Sequence, residues 1–347
     1  MEAHNKTVQT MITSSSRPLY RALCTLLLCI AVLWAMPKSA RAQLLVSEYS
    51  SDSVGEFNAT TGALINPSFI TGLNGPSAIA LSDNSLFVAN YDDAFGENAG
   101  TTVGKYNATT GAAINPSFIT GLNDPWGLAL SGNNLFVSEG GRASEIGLYN
   151  ATTGATINDD FITMLNFPRA LAVSGNNLFV ANFLGNSVGE YNATTGDPIN
   201  PSLVTGLDNP GGLALFGNKL FVANFLGNTV GEYNATTGAP INPEFITGLN
   251  HPSGLALFDN KLFVSNFLGN TVGEYNATTG AAINASFVTG LNHPSEVAVV
   301  PEPSALSMIA VGGVALLGVL LRRRHRVGRS SHSTCSRTAL GSIVDFK

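Results

Sequence analysis

The pentapeptide Asn-Ala-Thr-Thr-Gly begins at Asn58, Asn107, Asn150, Asn192, Asn234 and Asn276, with spacings of 49, 43, 42, 42 and 42 residues. A fixed period near forty restricts a chain to repeat architectures, because each unit buries its apolar face only against the next. One unit, residues 220–259, holds four short apolar runs at 220–224, 230–234, 245–247 and 254–258. Each is bounded by Gly, Asn, Pro or Thr and is too short for an ordinary helix, so each reads as a strand. Four strands per period of about 40–45 residues predict a β-propeller blade.

Strand positions within the blade follow from side-chain size. Ala78/Ala80, Gly127/Ala129, Ala170/Ala172, Gly212/Ala214 and Gly254/Ala256 recur in one run, and small residues suit the innermost strand, where blades converge on the axis. The run Leu-Phe-Val-Ala-Asn is the second strand, apolar throughout because blades cover it on both sides. Val-Gly-Glu-Tyr-Asn is the third and Phe-Ile-Thr the fourth. Asn-Ala-Thr-Thr-Gly is then a hairpin turn, in which Asn bonds the backbone two residues on and Gly takes a positive φ. The first copy opens at its second strand (44–48) and the last stops after its first (296–300). The expected fold is therefore all-β, a six-bladed propeller over 43–300, with the C-terminal strand completing the first blade so that no sheet edge stays open.

The order Pro-x-Gly-Leu-Ala-Leu, Leu-Phe-Val-Ala-Asn, Val-Gly-Glu-Tyr resembles NHL-type repeats across 44–300, with Asn or Glu standing where that family has Asp at the end of the second strand. The resemblance implies the same propeller architecture.

Both ends carry export features. Lys6, Arg17 and Arg21 precede an apolar stretch at 22–36 and the small residues before Gln43, which reads as a signal peptide (1–42) cut between Ala42 and Gln43 by signal peptidase. The alternative is a short membrane anchor, and Met11 is an alternative start. Val300, Pro301, Glu302 and Pro303 lead into 304–321, a stretch without charge, followed by Arg322, Arg323 and Arg324. A helix over 304–321 is about 27 Å long, enough to span a bilayer core, with the arginines held on the cytoplasmic side. Pro-Glu-Pro, membrane helix and basic cluster together resemble the PEP-CTERM sorting signal of Gram-negative bacteria (301–326). That resemblance implies an exosortase as partner, removal of the segment, and delivery to the cell surface or extracellular polysaccharide. Members end at the basic cluster, whereas a tail continues here over 327–347. A plain C-terminal anchor is the alternative reading. Processing at both ends would leave a mature chain without cysteine, since Cys24, Cys29 and Cys335 all lie outside 43–300.

Residues 43–300 carry 20 Asp+Glu against 5 Lys+Arg, a net charge of −15 that the whole-chain value of −6 conceals. Such a domain is not built to bind nucleic acid, which needs cations to displace counterions from phosphates. Propeller ligands sit at one rim, and there the second strands end in Glu48, Asn90, Glu139, Asn182, Asn224 and Asn266. Aromatic residues follow in five copies (Tyr49, Tyr91, Phe183, Phe225, Phe267), and the loops into the next blade add Asp124, Trp126, Arg169, His251 and His293. Such a ring could bind sugar by hydrogen bonding and stacking; equally, Asn could cap the turn and the aromatics fill the space between blades. The second copy has an insertion in which Asp92, Asp93 and Glu97 could hold Ca²⁺, although their spacing matches no calcium loop. The third has Glu139, Arg142 and Glu145 in the equivalent loop. Asn-Ala-Thr is also a glycosylation sequon, which duplication of a turn motif explains without sugar.

No nucleophile elbow, zinc helix or phosphate loop is present. The sequence is read as a non-catalytic surface or matrix module for exopolysaccharide or protein, without cofactor. The alternative is a metal-dependent lactonase or lyase of the gluconolactonase type, using Glu48, Asn90, Glu139 and Asn182 in the channel.

Overall fold

The computed structural model describes residues 42–91, 101–141 and 144–301. Within them, strands from β1 (Gln43–Glu48) to β24 (Pro294–Val300) form six four-stranded antiparallel sheets. The fifth blade is representative: β16 (Pro210–Phe216), β17 (Lys219–Asn224), β18 (Thr229–Asn234) and β19 (Pro240–Ile246), hydrogen-bonded in that order. The first blade is assembled from both ends of the domain. Its order is β24-β1-β2-β3, with β2 at Ser53–Asn58 and β3 at Leu64–Thr71, and Leu44, Leu45 and Val46 face Val299, Ala298 and Val297. The inner strands β4 (Pro76–Ser82), β8 (Pro125–Ser131), β12 (Pro168–Ser174), β16 and β20 (Pro252–Phe258) touch one another in succession. Strand β24 touches both β20 and β4 and so shuts the ring.

The apolar second strand explains how blades adhere. In β17, Leu220 and Val222 enter a cluster shared with the fourth blade, while Phe221 and Ala223 enter one shared with the sixth. Alternate side chains thus serve opposite neighbours, and burying each large one contributes about 1.5–3 kcal/mol. The small residues of the inner strand answer to backbone approach: a Cβ on Gly212 would overlap the carbonyl oxygen of Ser253 in the next blade.

The outer strands are longer than their apolar runs predict. They cover seven or eight residues, and β19 begins at Pro240, ahead of the short run at 245–247. The Asn-Pro dipeptides inside them read as breaks. On an edge strand, however, proline removes a donor that has no partner and discourages pairing with other chains. The third and outer strands pair with register shifts around Glu232, which accommodate the irregular segment.

The Asn-Ala-Thr-Thr-Gly turns are built as expected. Asn234 Oδ1 accepts the backbone N–H groups of Thr236 and Thr237, both at 3.0 Å, and Thr236 Oγ1 donates to Asn218 Oδ1 at 2.7 Å. The sequon carboxamides are therefore engaged in holding the turn.

The boundary expected between Ala42 and Gln43 falls inside packed structure. Ala42 is buried and its carbonyl accepts the Ala59 N–H at 3.0 Å, the bond that Asn218 makes to Ala235 in the fifth blade. The rest of the leader, Glu302, Pro303, the 304–321 helix, Arg322 to Arg324 and the tail lie outside the described residues, as do Asp92, Asp93, Glu97 and Arg142. Among the described residues no helix is long and apolar enough to cross a membrane.

Candidate functional site

The propeller has two unlike faces. One carries the Asn-Ala-Thr-Thr-Gly turns and both ends of the domain, since Gln43 pairs with Val300 at the start of β1 and the end of β24. The other carries the connections from second to third strand and from one blade into the next, and it surrounds the mouth of the central channel.

The six side chains that end the second strands pin loops at this mouth. Asn123 N–H donates to Glu139 Oε2 at 2.6 Å and Asn292 N–H to Glu48 Oε2 at 2.9 Å. Asn90, Asn182, Asn224 and Asn266 accept the corresponding loop amides at 3.3–3.4 Å. Asn90, Asn224 and Asn266 also donate to Thr102, Thr229 and Thr271. The arrangement satisfies backbone groups that would otherwise be orphaned at each blade junction.

The aromatic residues behave differently: they form a closed circle. Tyr49 lies 6.1 Å from Tyr91, and Tyr91 lies 4.5 Å from Trp126. Trp126 is followed at 6.0 Å by Phe167, which is 6.1 Å from Phe183. Phe183, Phe225 and Phe267 continue at 5.8 and 5.9 Å, and Phe267 returns to Tyr49 at 5.9 Å. These centroid separations suit tilted and edge-on aromatic pairs. His251 meets Phe225 edge-on and His293 stacks on Phe267, each at 4.8 Å, extending the circle outward.

The circle departs from repeat symmetry in the third and fourth blades. Where other copies place an aromatic, the third has Gly140, and a Cβ there would clash with the Trp126 ring. Trp126, the residue after the inner-strand proline, thus fills the vacant place. Its indole N–H is buried with no hydrogen-bond partner among the described residues, an omission that costs about 1–3 kcal/mol. Phe167 occupies the left-handed position (φ 55°) that Gly75, Asp124, Asn209, His251 and His293 fill elsewhere. A bulky residue pays strain there, of order 1–3 kcal/mol.

Arg169 stands at the centre of this departure. Its guanidinium carbon lies over the Trp126 ring at 4.0 Å, over Phe183 at 4.4 Å and over Phe225 at 5.5 Å. Burial lowers its pKa to about 10, opposed by the neighbouring phenols of Tyr49 and Tyr91, so it remains a cation at neutral pH. Among the described residues the ion pairs are Lys219–Glu232 and Lys261–Glu274; Arg169 has no carboxylate partner.

Diametrically across the ring, Glu296 occupies the inner-strand place taken elsewhere by Ala78, Gly127, Ala170, Gly212 and Gly254. Its carboxyl reaches over Gly254 and accepts N–H groups of Val297, at 3.1 Å, and Leu255. Burial raises it to about 8 against these two bonds, so it is largely protonated at neutral pH. In the third blade, burial and a hydrogen bond to Asp160 raise Glu145 to about 7, with Glu139 and Asp159 adding repulsion. Among the described residues no group of three or more His, Cys, Asp or Glu is placed to hold a metal ion.

Sequence reasoning placed Trp126, His251, His293 and Arg169 at this mouth but missed Phe167, Gly140 and Glu296. The available signal was position-by-position deviation: counted from each inner-strand proline, the next residue is Ser77, Trp126, Arg169, Gly211, Ser253 or Ser295, and only two of these are large.

No family model matches the chain, and no curated protein matches it in sequence. In structure, 1108 chains match, so the architecture by itself does not single out an activity. A chain in the crystal structure of a nidogen/laminin complex aligns with TM-score 0.63 and 14% identity, covering 74% of this chain and 98% of the other. The computationally designed Ika8 protein aligns with TM-score 0.45 and 18% identity over 72% of this chain and 71% of its own. The first likeness establishes the class: this chain is a six-bladed β-propeller.

Proposed function

We propose that this protein is an exported, non-catalytic propeller whose aromatic mouth binds extracellular polysaccharide, a reading in keeping with NHL-like repeats joined to a PEP-CTERM sorting signal. The observation that carries the reading is the circle of aromatic side chains on the face opposite Gln43 and Val300. Half-buried rings suit the apolar faces of sugars. The acid and amide side chains that a channel lactonase would use for metal are occupied with loop amides, which favours the non-catalytic reading. The chain from the nidogen/laminin complex supports the propeller fold alone.

Sorting has its own test. Pro301 and Pro303 disfavour helix at the residues before them, and in the sorting reading an exosortase would act at this Pro-Glu-Pro segment. In a host with that enzyme the recovered protein should lack residues 304–347 by intact mass, and replacing Pro301, Glu302 and Pro303 with alanine should leave a longer, membrane-held form. A wild-type mass that still includes 304–347 rejects exosortase processing.

A further inference from the structure

We infer that the Arg169 cluster at the channel mouth recognises a carboxylate carried on a sugar, making the ligand a uronate-bearing polysaccharide. The inference rests on the polysaccharide-binding reading and narrows it.

Each other cation among the described residues has an oxygen partner: Lys219 and Lys261 pair with Glu232 and Glu274, and Lys105, which also lies over the Phe87 and Phe118 rings, donates to the Ala151 carbonyl at 2.9 Å. Arg169 instead has ring contacts through Trp126, Phe183 and Phe225, with the phenols of Tyr49 and Tyr91 nearby, and no carboxylate partner among the described residues. Aromatic contact does not consume the N–H donors of a guanidinium, which lie in its plane in a fork that matches a carboxylate. The rings also hold the side chain in place and keep its surroundings poor in water, which strengthens a charge-assisted bond. Two further observations mark this cluster as built for something other than stability. The Trp126 indole N–H is left without a partner, and Phe167 beside it is held at φ 55°. The rest of the circle offers apolar ring faces for a pyranose. The same negative domain charge opposes nonspecific capture of polyanions, so a uronate would be bound through Arg169 and not along the surface.

The test is calorimetric titration of the full-length protein with three probes: a galacturonate hexamer, a neutral glucose hexamer and free glutamate. The galacturonate hexamer should bind most tightly. Arg169→Gln should weaken it about thirtyfold or more, the range for loss of one partner of a buried charge pair. Arg169→Lys should recover part of the loss, because the charge stays while the fork is lost. Circular dichroism of each variant checks that the propeller persists, and Trp126→Phe, which keeps the ring but removes the N–H, gives a second variant if Arg169→Gln does not fold. Its affinity for the galacturonate hexamer should fall severalfold. Equal binding of galacturonate and glucose, unchanged by Arg169→Gln, would overturn the uronate inference and leave polysaccharide binding standing. Glutamate binding as tightly as the galacturonate hexamer would overturn the sugar requirement. Failure of both hexamers to bind would overturn the two readings together.

Discussion

Removing residues 296–300 from the full-length chain will abolish cooperative unfolding and produce aggregates. Strand β24 is the innermost strand of the first blade although it lies at the far end of the domain, and it also contacts the second and sixth blades. Its loss strips one side of β1, where Leu44, Leu45 and Val46 are completely buried. Exposing each costs about 1.5–3 kcal/mol. Together with the lost ladder bonds, this is comparable to the roughly 5–15 kcal/mol that holds a domain folded. The newly bared edge is a template for pairing with other chains. Differential scanning calorimetry and light scattering read both effects. A truncated protein that melts like the full chain would show that the ring does not depend on its seam.

The second large effect is set by pH. Glu296 keeps its proton in the folded protein up to about 8, against an ordinary value of 4.5. Folding is therefore favoured by this group below pH 4.5, and that advantage is lost progressively as pH rises to about 8. The difference is worth on the order of 3–5 kcal/mol. Glu296→Gln keeps an acceptor for the Val297 and Leu255 N–H groups without the ionisation. At pH 8.5 the variant should melt about 6–20 °C above wild type, while at pH 4.5 the two should nearly coincide. Glu48, Glu56, Glu139 and Glu190 are raised by burial as well, so the wild-type protein should lose stability across the same direction of pH. Parallel wild-type and variant melting curves from pH 4.5 to 8.5 would exclude Glu296 as the source.

Repetition made the architecture readable. The Asn-Ala-Thr-Thr-Gly spacing and the apolar second strand report the same physical need six times, and the half-blades at either end disclose the seam between β1 and β24. The outer strands were underestimated because Asn-Pro looks like a break unless the strand is known to lie at an edge. At the mouth, residue type alone did not separate two roles for an asparagine at a strand end. Asn224 is as suitable for a sugar hydroxyl as for the Asp208 N–H, and only the fold shows that the loop amide is there. Arg169, Trp126 and Gly140 were visible as single deviations from the repeat. Their relation is spatial: a glycine in one loop makes room for an indole from another, and a cation from the next blade settles on it. Averaging over copies hides such compensations. Glu296 was overlooked for a related reason, since it sits in the last, incomplete copy, where it was counted as part of a closing strand and not compared with Gly212 and Gly254.

The central claim, that this propeller binds extracellular polysaccharide through the face opposite Gln43 and Val300, is tested most directly by a hydrogen-exchange footprint. The wild-type protein would be compared with and without exopolysaccharide extracted from the cells that produce it. Protection is predicted at the connections following Tyr49, Phe183, Phe225 and Phe267 and at Trp126 to Gly127, with the Asn-Ala-Thr-Thr-Gly turns unchanged. Protection confined to those turns, or none at saturating polysaccharide, would contradict it.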